Sequence, residues 1–293
     1  MEYRDKVLIL TPVKDAEEFL ENYFQSLYQL TYPHSLISIG LLESDSVDNT
    51  YIELEKRFPE LRKDFRSAGL WKKDFGFHIP PGTPRWAGHI QIERRAILAK
   101  SRNHLLFHAL NDEDWVLWLD VDVVEYPSDI IERLLEVRKD IVQPNCVKQY
   151  GGISFDLNAW RDKGRLHLHD LKGEGNLVRL HSVGGTMLLI KADIHRDGLI
   201  FPPFLYGREN PLIRGNNYFH VKREIIKTVV RNLLEGIRKM SISQLAEARR
   251  DAINILKGGC TGEIETEGLG MMAHDMGYEC WGMPNLEIRH RDS

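Results

Sequence analysis

Two carboxylates close together in the chain are the first candidates for chemistry. The stretch DWVLWLDVDVVEYPSD, residues 114 to 129, is an apolar run that ends in Asp120 and Asp122. Side chains alternate along a strand, so both carboxylates project from one face if the strand conformation persists that far. Such a pair repels and loses hydration unless a cation lies between the two groups or water reaches them. The pair therefore predicts either a Mn²⁺ or Mg²⁺ site that would hold a diphosphate, or a strand end whose acids face solvent.

The same residues also fit a phosphatase motif. LDVDVV satisfies the haloacid-dehalogenase signature, in which the first aspartate is a nucleophile. That signature usually lies in the first strand of its domain, whereas here at least two predicted strands and three predicted helices precede it. The paired downstream acids are also missing, since HDMG offers a single aspartate. The phosphatase hypothesis is therefore the weaker one.

The opening of the chain predicts the elements that would position this site. KVLILTPVKD indicates a strand that runs into a loop at the proline, and DAEEFLENYFQSLYQL has the apolar spacing of a helix with an acidic first turn. LISIGLLESDSVDNT indicates a second strand that ends in a polar loop, and a second helix begins in VDNTYIELEKRF. This βαβ order predicts parallel strands with functional loops at their carboxyl ends.

The rest of the chain continues the alternation. FGFHIPPGTPRWAG is predicted to be a loop, followed by a helix from about Gln91 to Leu110 and by the strand at 115 to 119. A helix in DIIERLLEVRKD, strands in IVQPN and GGTMLLIK, and a final strand ending in NLEIRH follow. Between them we expect a helical insertion at about 206–258, in which Ser241 and Gln244 fit a capping box and Gly258 and Gly259 end the second helix.

Composition excludes several classes. With 293 residues, 42% hydrophobic, 28% charged and a net charge of −4, the chain is neither disordered nor a basic nucleic-acid binder. Its apolar runs are of strand length, so no transmembrane segment is predicted. The three cysteines are widely spaced and are predicted to be buried thiols: Cys146, Cys260 and Cys280.

Five separate stretches resemble one family. LILTPVKDAEEFLENYF, LTYPHSLISIGLLESDSVDNT, LAKSRNHLL, WVLWLDVDVVEYPSDII and IETEGLGMMAHDMGYECWGMPN are similar to the fungal Golgi mannosyltransferases of the mannan polymerase complexes, glycosyltransferase family 62. The resemblance covers nearly the whole chain except about 205 to 260. It implies an α/β protein with the GT-A glycosyltransferase fold, Rossmann-like with a mixed central sheet. We expect one catalytic domain over 1–293, with a nucleotide-binding half at 1–125 and an acceptor half at 126–293.

The resemblance also implies an activity and its ligands. The donor would be GDP-mannose, the cofactor Mn²⁺ or Mg²⁺, the acceptor a glycan or small sugar, and the product an α-mannoside formed with retention of configuration. The metal would act as a Lewis acid on the departing GDP while the acceptor hydroxyl attacks from the same face, with no strong dedicated base. A catalytically silent sugar-nucleotide-binding subunit is the alternative, because the fungal relatives work in complexes.

Residue roles follow from the same resemblance. Asp120 and Asp122 match the metal-binding pair. The family's first-strand loop, which lines the nucleotide pocket, corresponds here to Thr11, Pro12 and Val13. The second wall of that pocket corresponds to Asp45. From the residues alone, Asp45, Asp48 and Asn49 could instead cap the following helix, and we assign Asp48 and Asn49 to capping.

Four further residues complete the predicted site. Arg102, beside Asn103 on the helix before the metal strand, could reach phosphate or brace a loop, although helix position alone would put it on a solvated face. His290, at the end of the last strand, is the expected third metal ligand, whereas His274 is assigned a structural role. Glu265 and Glu267 would share a face if extended and could orient the acceptor or stabilise positive charge on the sugar; a helix cap is the other interpretation.

The chain departs from the fungal pattern in two places. Fungal members carry an N-terminal membrane helix, whereas this chain begins almost at the first strand. The Met1 start without a stem favours a natural soluble, cytoplasmic relative, and a trimmed domain would imply the Golgi lumen. The insertion at 206–258 leaves acceptor and linkage open; it could serve homo-oligomer formation, a membrane surface or a lid, or pack as a hairpin on itself.

Overall fold

The computed structural model describes residues 3–79, 82–83, 87, 90–207 and 263–291. The chain divides into two compact units, one of Met1–Phe204 with Ile264–Ser293 and one of Leu205–Glu263. All but four of the described residues belong to the first unit, to which the following description applies. The predicted insertion falls outside the described residues beyond residue 207, and so do its capping box at Ser241 and Gln244, its terminal glycines and Cys260.

Four parallel strands form the first half of the main sheet. They are β1 (Val7–Val13), β2 (Ile37–Glu43), β3 (Ser67–Lys72) and β4 (Trp115–Leu119). In this register Val7 lies opposite both Ile37 and Trp115. The connections contain α1 (Leu20–Tyr28), α2 (Thr50–Asp64) and α3 (Gln91–Ala109), with short 3₁₀ turns at Glu17–Phe19 and His34–Leu36. The predicted βαβ opening with parallel strands is confirmed.

The second half of the sheet is mixed. Its strands are β5 (Val123–Glu125), β6 (Ile141–Val147), β9 (Val178–Leu180), β10 (Met187–Lys191) and β11 (Cys280–His290). In the described part of the chain the order is β3-β2-β1-β4-β10-β6-β11-β5, and β9 also pairs with β11. Because β10 runs antiparallel to β4 and β6, whereas β11 is parallel to β6, the sheet is mixed, as predicted.

The remaining elements lie around this sheet. They are the small hairpin of β7 (Trp160–Arg161) and β8 (Leu166–His167), a 3₁₀ helix at Leu168–Glu174, and the helices α4 (Ile130–Glu136), α5 (Ala192–Arg196) and α6 (Glu265–Asp275). No helix in the described residues is both long and apolar enough to cross a membrane.

The sheet is buried on both faces. Along β1, Val7 and Ile9 belong to one hydrophobic cluster, and Leu8 and Leu10 belong to a second. Alternate side chains of a strand lie on opposite faces, so the two clusters are the cores on either side of the sheet. Burial on both sides fixes the strands, and with them the loops at their carboxyl ends. The free thiols Cys146 and Cys280 are both buried, as expected.

Candidate active site

The two aspartates lie in a turn rather than on a strand. β4 ends at Leu119, and the amide of Val123 donates to the carbonyl of Asp120 at 3.3 Å, which closes a turn over Asp120–Asp122. The amide of Asp120 donates to Thr186 O at 2.9 Å, which ties this turn to β10. The expectation that strand alternation aligns the carboxylates is therefore wrong, although the turn still brings both residues to one cleft.

This cleft opens beside the carboxyl ends of β1, β2 and β4. Its volume is about 260 Å³, and it is lined by Pro12, Val13, Lys14, Asp15, Ala16, Phe19, Ser44, Phe77, Ile79, Arg94, Ile97, Leu98, Ser101, Asp120, Val121 and Asp122. Two of the three residues predicted at the first loop, Pro12 and Val13, are among them. The third, Thr11, is buried, and its hydroxyl lies 2.7 Å from the Tyr23 hydroxyl. Asp45 is the neighbour of a lining residue, and its carboxylate accepts hydrogen bonds from the amides of Phe75 and Gly76.

The aspartates form a strongly negative corner of the cleft. Burial raises the pKa of Asp120, the Arg102 guanidinium opposes that rise, and Asp122, Glu265 and Asp156 add to it, so that the pKa is about 6. Burial is the largest cause of this shift, and the neighbouring carboxylates add to it because they disfavour the charged form. A corner with this charge is suited to a cation.

His290 completes the corner from the end of β11. Its Nε2 lies 3.1 Å from Asp122 Oδ1, its Nδ1 donates to Arg291 O at 2.8 Å, and its ring stacks on Phe155. Burial alone would lower the pKa of His290, but the hydrogen bond and charge of Asp122 outweigh it and the pKa is raised. Both ring nitrogens therefore face acceptors, and Nε2 would have to lose its proton to ligate a metal.

The donor atoms fit a hard divalent cation. Two carboxylates and an imidazole are ligands that Mn²⁺ accepts, and Mg²⁺ favours the carboxylates. Among the described residues, no three His, Cys, Asp or Glu side chains are already gathered around one metal position.

Arg102 connects Asp120 to α6. Its side chain is 1% exposed; Nη2 donates to Asp120 Oδ1 at 2.9 Å, and Nε lies 3.0 Å from Glu265 Oε1. The guanidinium lies over the rings of Trp118 and Phe201, with centroid distances of 5.5 and 5.2 Å. The solvated face that helix position alone favoured is thus wrong, and the contacts agree with a bracing role. Arg102 holds the carboxylate of Asp120 in place.

Two glycines before β10 make room for this arrangement. A Cβ at Gly185 would lie 2.7 Å from Arg102 Nη2, and one at Gly184 would lie 2.1 Å from Asp156 Oδ2. Asp156 accepts hydrogen bonds from the amides of Gly185 and Thr186 at 2.8 and 3.2 Å. Asp156 was not predicted from the sequence. The paired glycines Gly184 and Gly185, which contact it in the fold, are the sequence signal that could have indicated a close approach at this point.

The two predicted glutamates lie in the first turn of α6. Because α6 begins at Glu265, they are helical, and the shared face expected of an extended segment is wrong. Glu265 is buried with φ +60°, and its amide donates to Pro202 O at 3.0 Å. Glu267 accepts from Trp160 Nε1 at 2.7 Å and pairs with Arg95 at 2.7 Å. Both acids are therefore fixed by cationic partners, and Arg95 and Trp160 were not predicted.

Two predicted secondary residues lie apart from these contacts. Asn103 is buried on α3, where its amide donates to Phe201 O at 2.7 Å and its Oδ1 accepts from Phe201 N at 2.9 Å. It therefore anchors the segment that follows α5. His274 lies within α6, as predicted, and is exposed; its structural role stays a prediction.

Comparisons with known proteins identify the family. The Anp1 family model matches residues 1–169 and 165–205. The chain is 28% identical to the mannan polymerase complex subunit MNN9 of Candida albicans over 98% of this chain and 75% of that protein. It is 29% identical to the mannan polymerase II complex anp1 subunit of Schizosaccharomyces pombe over 98% of this chain, and spans 64% of that protein.

A solved structure bears on the fold alone. GalNAc-T7 with UDP, GalNAc and Mn²⁺ matches with a TM-score of 0.50 at 11% identity, over 98% of this chain and 44% of that chain. At 11% identity this similarity indicates a shared fold and says nothing about substrate or activity. The chain belongs to the Anp1 family and has the GT-A glycosyltransferase fold.

Proposed function

We propose that the protein is a metal-dependent retaining glycosyltransferase that moves mannose from GDP-mannose to a mannose-containing or other glycan acceptor. The observation that carries this proposal is that Asp120 and Asp122 line a cleft at the carboxyl ends of parallel strands, with His290 Nε2 3.1 Å from Asp122 Oδ1. Ligands of open α/β sheets bind at such edges. The relatives are named as mannan polymerase subunits, which supports mannose as the sugar, and GDP as its carrier is taken from the family resemblance.

Each wall of the cleft has a role in this proposal. Asp120, Asp122 and His290 would hold Mn²⁺ or Mg²⁺, which when bound neutralises charge on the departing diphosphate as a Lewis acid. Pro12 and Val13 would contact the nucleoside. Arg102 fixes Asp120 through the 2.9 Å hydrogen bond, so that a metal ligand is oriented before the donor binds.

The two glutamates of α6 would act at the acceptor side. Glu265 is tied to the metal corner through Arg102, and Glu267 is held by Trp160 and Arg95. In this position they would orient the acceptor hydroxyl or stabilise positive charge that develops on the sugar. The hydroxyl would attack C1 from the face that the phosphate leaves. The bond from C1 to the phosphate oxygen would break as the bond to the acceptor forms, and the hydroxyl proton would pass to the departing phosphate oxygen.

A donor panel tests the proposal. GDP and UDP release would be measured from GDP-mannose and from UDP-hexoses with Mn²⁺, with EDTA, and with Asp120→Asn. We expect GDP release from GDP-mannose that EDTA abolishes and that Asp120→Asn lowers at least 100-fold. Asp162→Asn, an exposed carboxylate with φ +55°, is the matched control and should match the wild type. Turnover that survives EDTA contradicts the metal assignment.

One second candidate has support of its own. Both reported relatives are named as complex subunits, which favours a sugar-nucleotide-binding subunit without catalysis. Tight GDP binding without transfer to any acceptor in the same assay would select this candidate. Release of inorganic phosphate from phosphate monoesters, measured in parallel, would instead select the phosphatase hypothesis.

A further inference from the structure

Asp45 lies at the centre of a group of hydrogen bonds between two loops. It follows β2 directly, is 5% exposed, and has a left-handed backbone with φ +55°. This conformation is uncommon for residues other than glycine, although aspartate and asparagine adopt it more readily than most. The cost of this backbone conformation must be offset by the contacts of the Asp45 side chain.

The carboxylate of Asp45 accepts hydrogen bonds from two consecutive amides of the loop after β3. Phe75 N lies 3.1 and 3.0 Å from its two oxygens, and Gly76 N lies 2.8 Å from Oδ1. In return, the amide of Asp45 donates to Asp74 Oδ1 at 2.9 Å. Hydrogen bonds to a charged acceptor are about twice as strong as neutral ones. Together these contacts form a reciprocal clamp, defined here as Asp45 with residues 74–76.

The clamp fixes a wall of the cleft. Phe77 directly follows the clamped amides and Ile79 lies two residues further on; both line the cleft, as does Ser44 on the other side of the clamp. The carbonyl of Asp45 accepts a hydrogen bond from Lys14 Nζ, and Lys14 is also a lining residue. Three segments that border the cleft are therefore joined at Asp45.

We infer that Asp45 is a positioning residue for the nucleotide, which acts by holding the loop of Phe77 and Ile79 in its binding conformation rather than by touching the ligand. This inference rests on the proposed function, because it takes the cleft to be the nucleotide site. Holding a loop in its bound conformation improves affinity by removing the entropic cost of ordering it on binding. Asp45 thus sets the affinity for the donor without taking part in the chemical step.

Asp45→Asn tests the inference, because it keeps the size of the side chain and replaces one acceptor oxygen by a donor. GDP binding in the presence of Mn²⁺ should weaken at least about tenfold, while kcat at saturating GDP-mannose stays within about twofold of the wild type. Hydrogen exchange of the Phe75 and Gly76 amides in the nucleotide-free protein should accelerate. Asp48→Asn is the control, because this carboxylate on the same loop accepts hydrogen bonds from the amides of Thr50 and Glu17 instead; it should change neither GDP affinity, nor kcat, nor the exchange of the Phe75 and Gly76 amides.

A double-mutant cycle with Phe77→Ala separates positioning from contact. If Asp45 acts through the loop, the two substitutions are not additive, and Phe77→Ala costs little further affinity in the Asp45→Asn protein. Additive losses, or unchanged exchange of the two amides, would overturn the inference. If the wild type binds no nucleoside diphosphate, the proposed function fails, while faster amide exchange in Asp45→Asn would still establish the clamp.

Discussion

Removing the charge of Arg102 is the perturbation whose cost the structure determines most closely. In Arg102→Met the apolar stem is kept between Trp118 and Phe201, but the guanidinium that pairs with Asp120 and Glu265 is lost. Breaking a buried ion pair from one side costs about 3–5 kcal/mol, because the remaining charge stays buried. Glu265 is 4% exposed, whereas Asp120 keeps 27% exposure and can be hydrated. We therefore expect the free energy of unfolding to fall by about 3 kcal/mol, the lower end of that range.

Urea unfolding at pH 7.5, followed by tryptophan fluorescence and by far-ultraviolet circular dichroism, measures this loss. Arg102→Met with Glu265→Gln should regain about 1 kcal/mol or more over Arg102→Met alone, because the buried uncompensated carboxylate is gone. Arg289→Met removes an exposed pair with Glu125 and should cost less than about 0.5 kcal/mol. A loss below about 1 kcal/mol in Arg102→Met, or a double variant no more stable than the single one, would refute this account of the Arg102 charge.

Two further predictions concern positions outside the cleft. Burial lowers the pKa of His195 to about 4, whereas the pKa of an unfolded histidine is about 6.5. Between these two pH values the unfolded state binds more protons than the folded state. The free energy of unfolding therefore falls as the pH drops through this window, by up to about 3 kcal/mol. Urea titrations at pH 7, 6 and 5 should show a smaller loss in His195→Gln than in the wild type; equal slopes contradict the assignment. Gly270→Ala places a Cβ 2.8 Å from Ser182 Cα and should lower the free energy of unfolding by about 1–3 kcal/mol, whereas Gly173→Ala, with open space at its Cβ, should change it by less than about 0.5 kcal/mol. Thermal unfolding of the two variants measures this difference, and a melting temperature of Gly270→Ala equal to that of the wild type would contradict the steric argument.

The parts of the fold that local patterns encode were predictable. Continuous apolar runs indicated β1, β2 and β4, because strands buried on both faces need apolar side chains in succession. The strand β3, with the sequence SAGLWK, escaped prediction because it is a half-exposed edge strand and carries only a short apolar pair. Its conformation depends on pairing with β2 rather than on its own residues.

Candidate site residues could be proposed from the sequence by their type, but their contacts could not be predicted. Arg102 is buried because the fold packs it against Gly185 and Glu265, which are far from it in the sequence. The turn at Asp120 forms because its amide is bonded to β10, which strand alternation cannot anticipate. The contact of Asp45 with the nucleotide stays a prediction, but the hydrogen bonds that its carboxylate accepts from a loop thirty residues downstream were not predicted. Such pairings arise from tertiary packing and leave no periodic trace in the sequence.

The most direct test of the account is Mn²⁺ binding at the Asp122 corner. Electron paramagnetic resonance of free Mn²⁺, titrated with protein and GDP, reports the bound fraction without depending on any acceptor. The account predicts that the wild type binds Mn²⁺ together with GDP, that Asp122→Asn binds it at least tenfold more weakly, and that Asp162→Asn binds it as the wild type does. Equal Mn²⁺ affinity in the wild type and Asp122→Asn would contradict the assignment of this corner as the metal and diphosphate site.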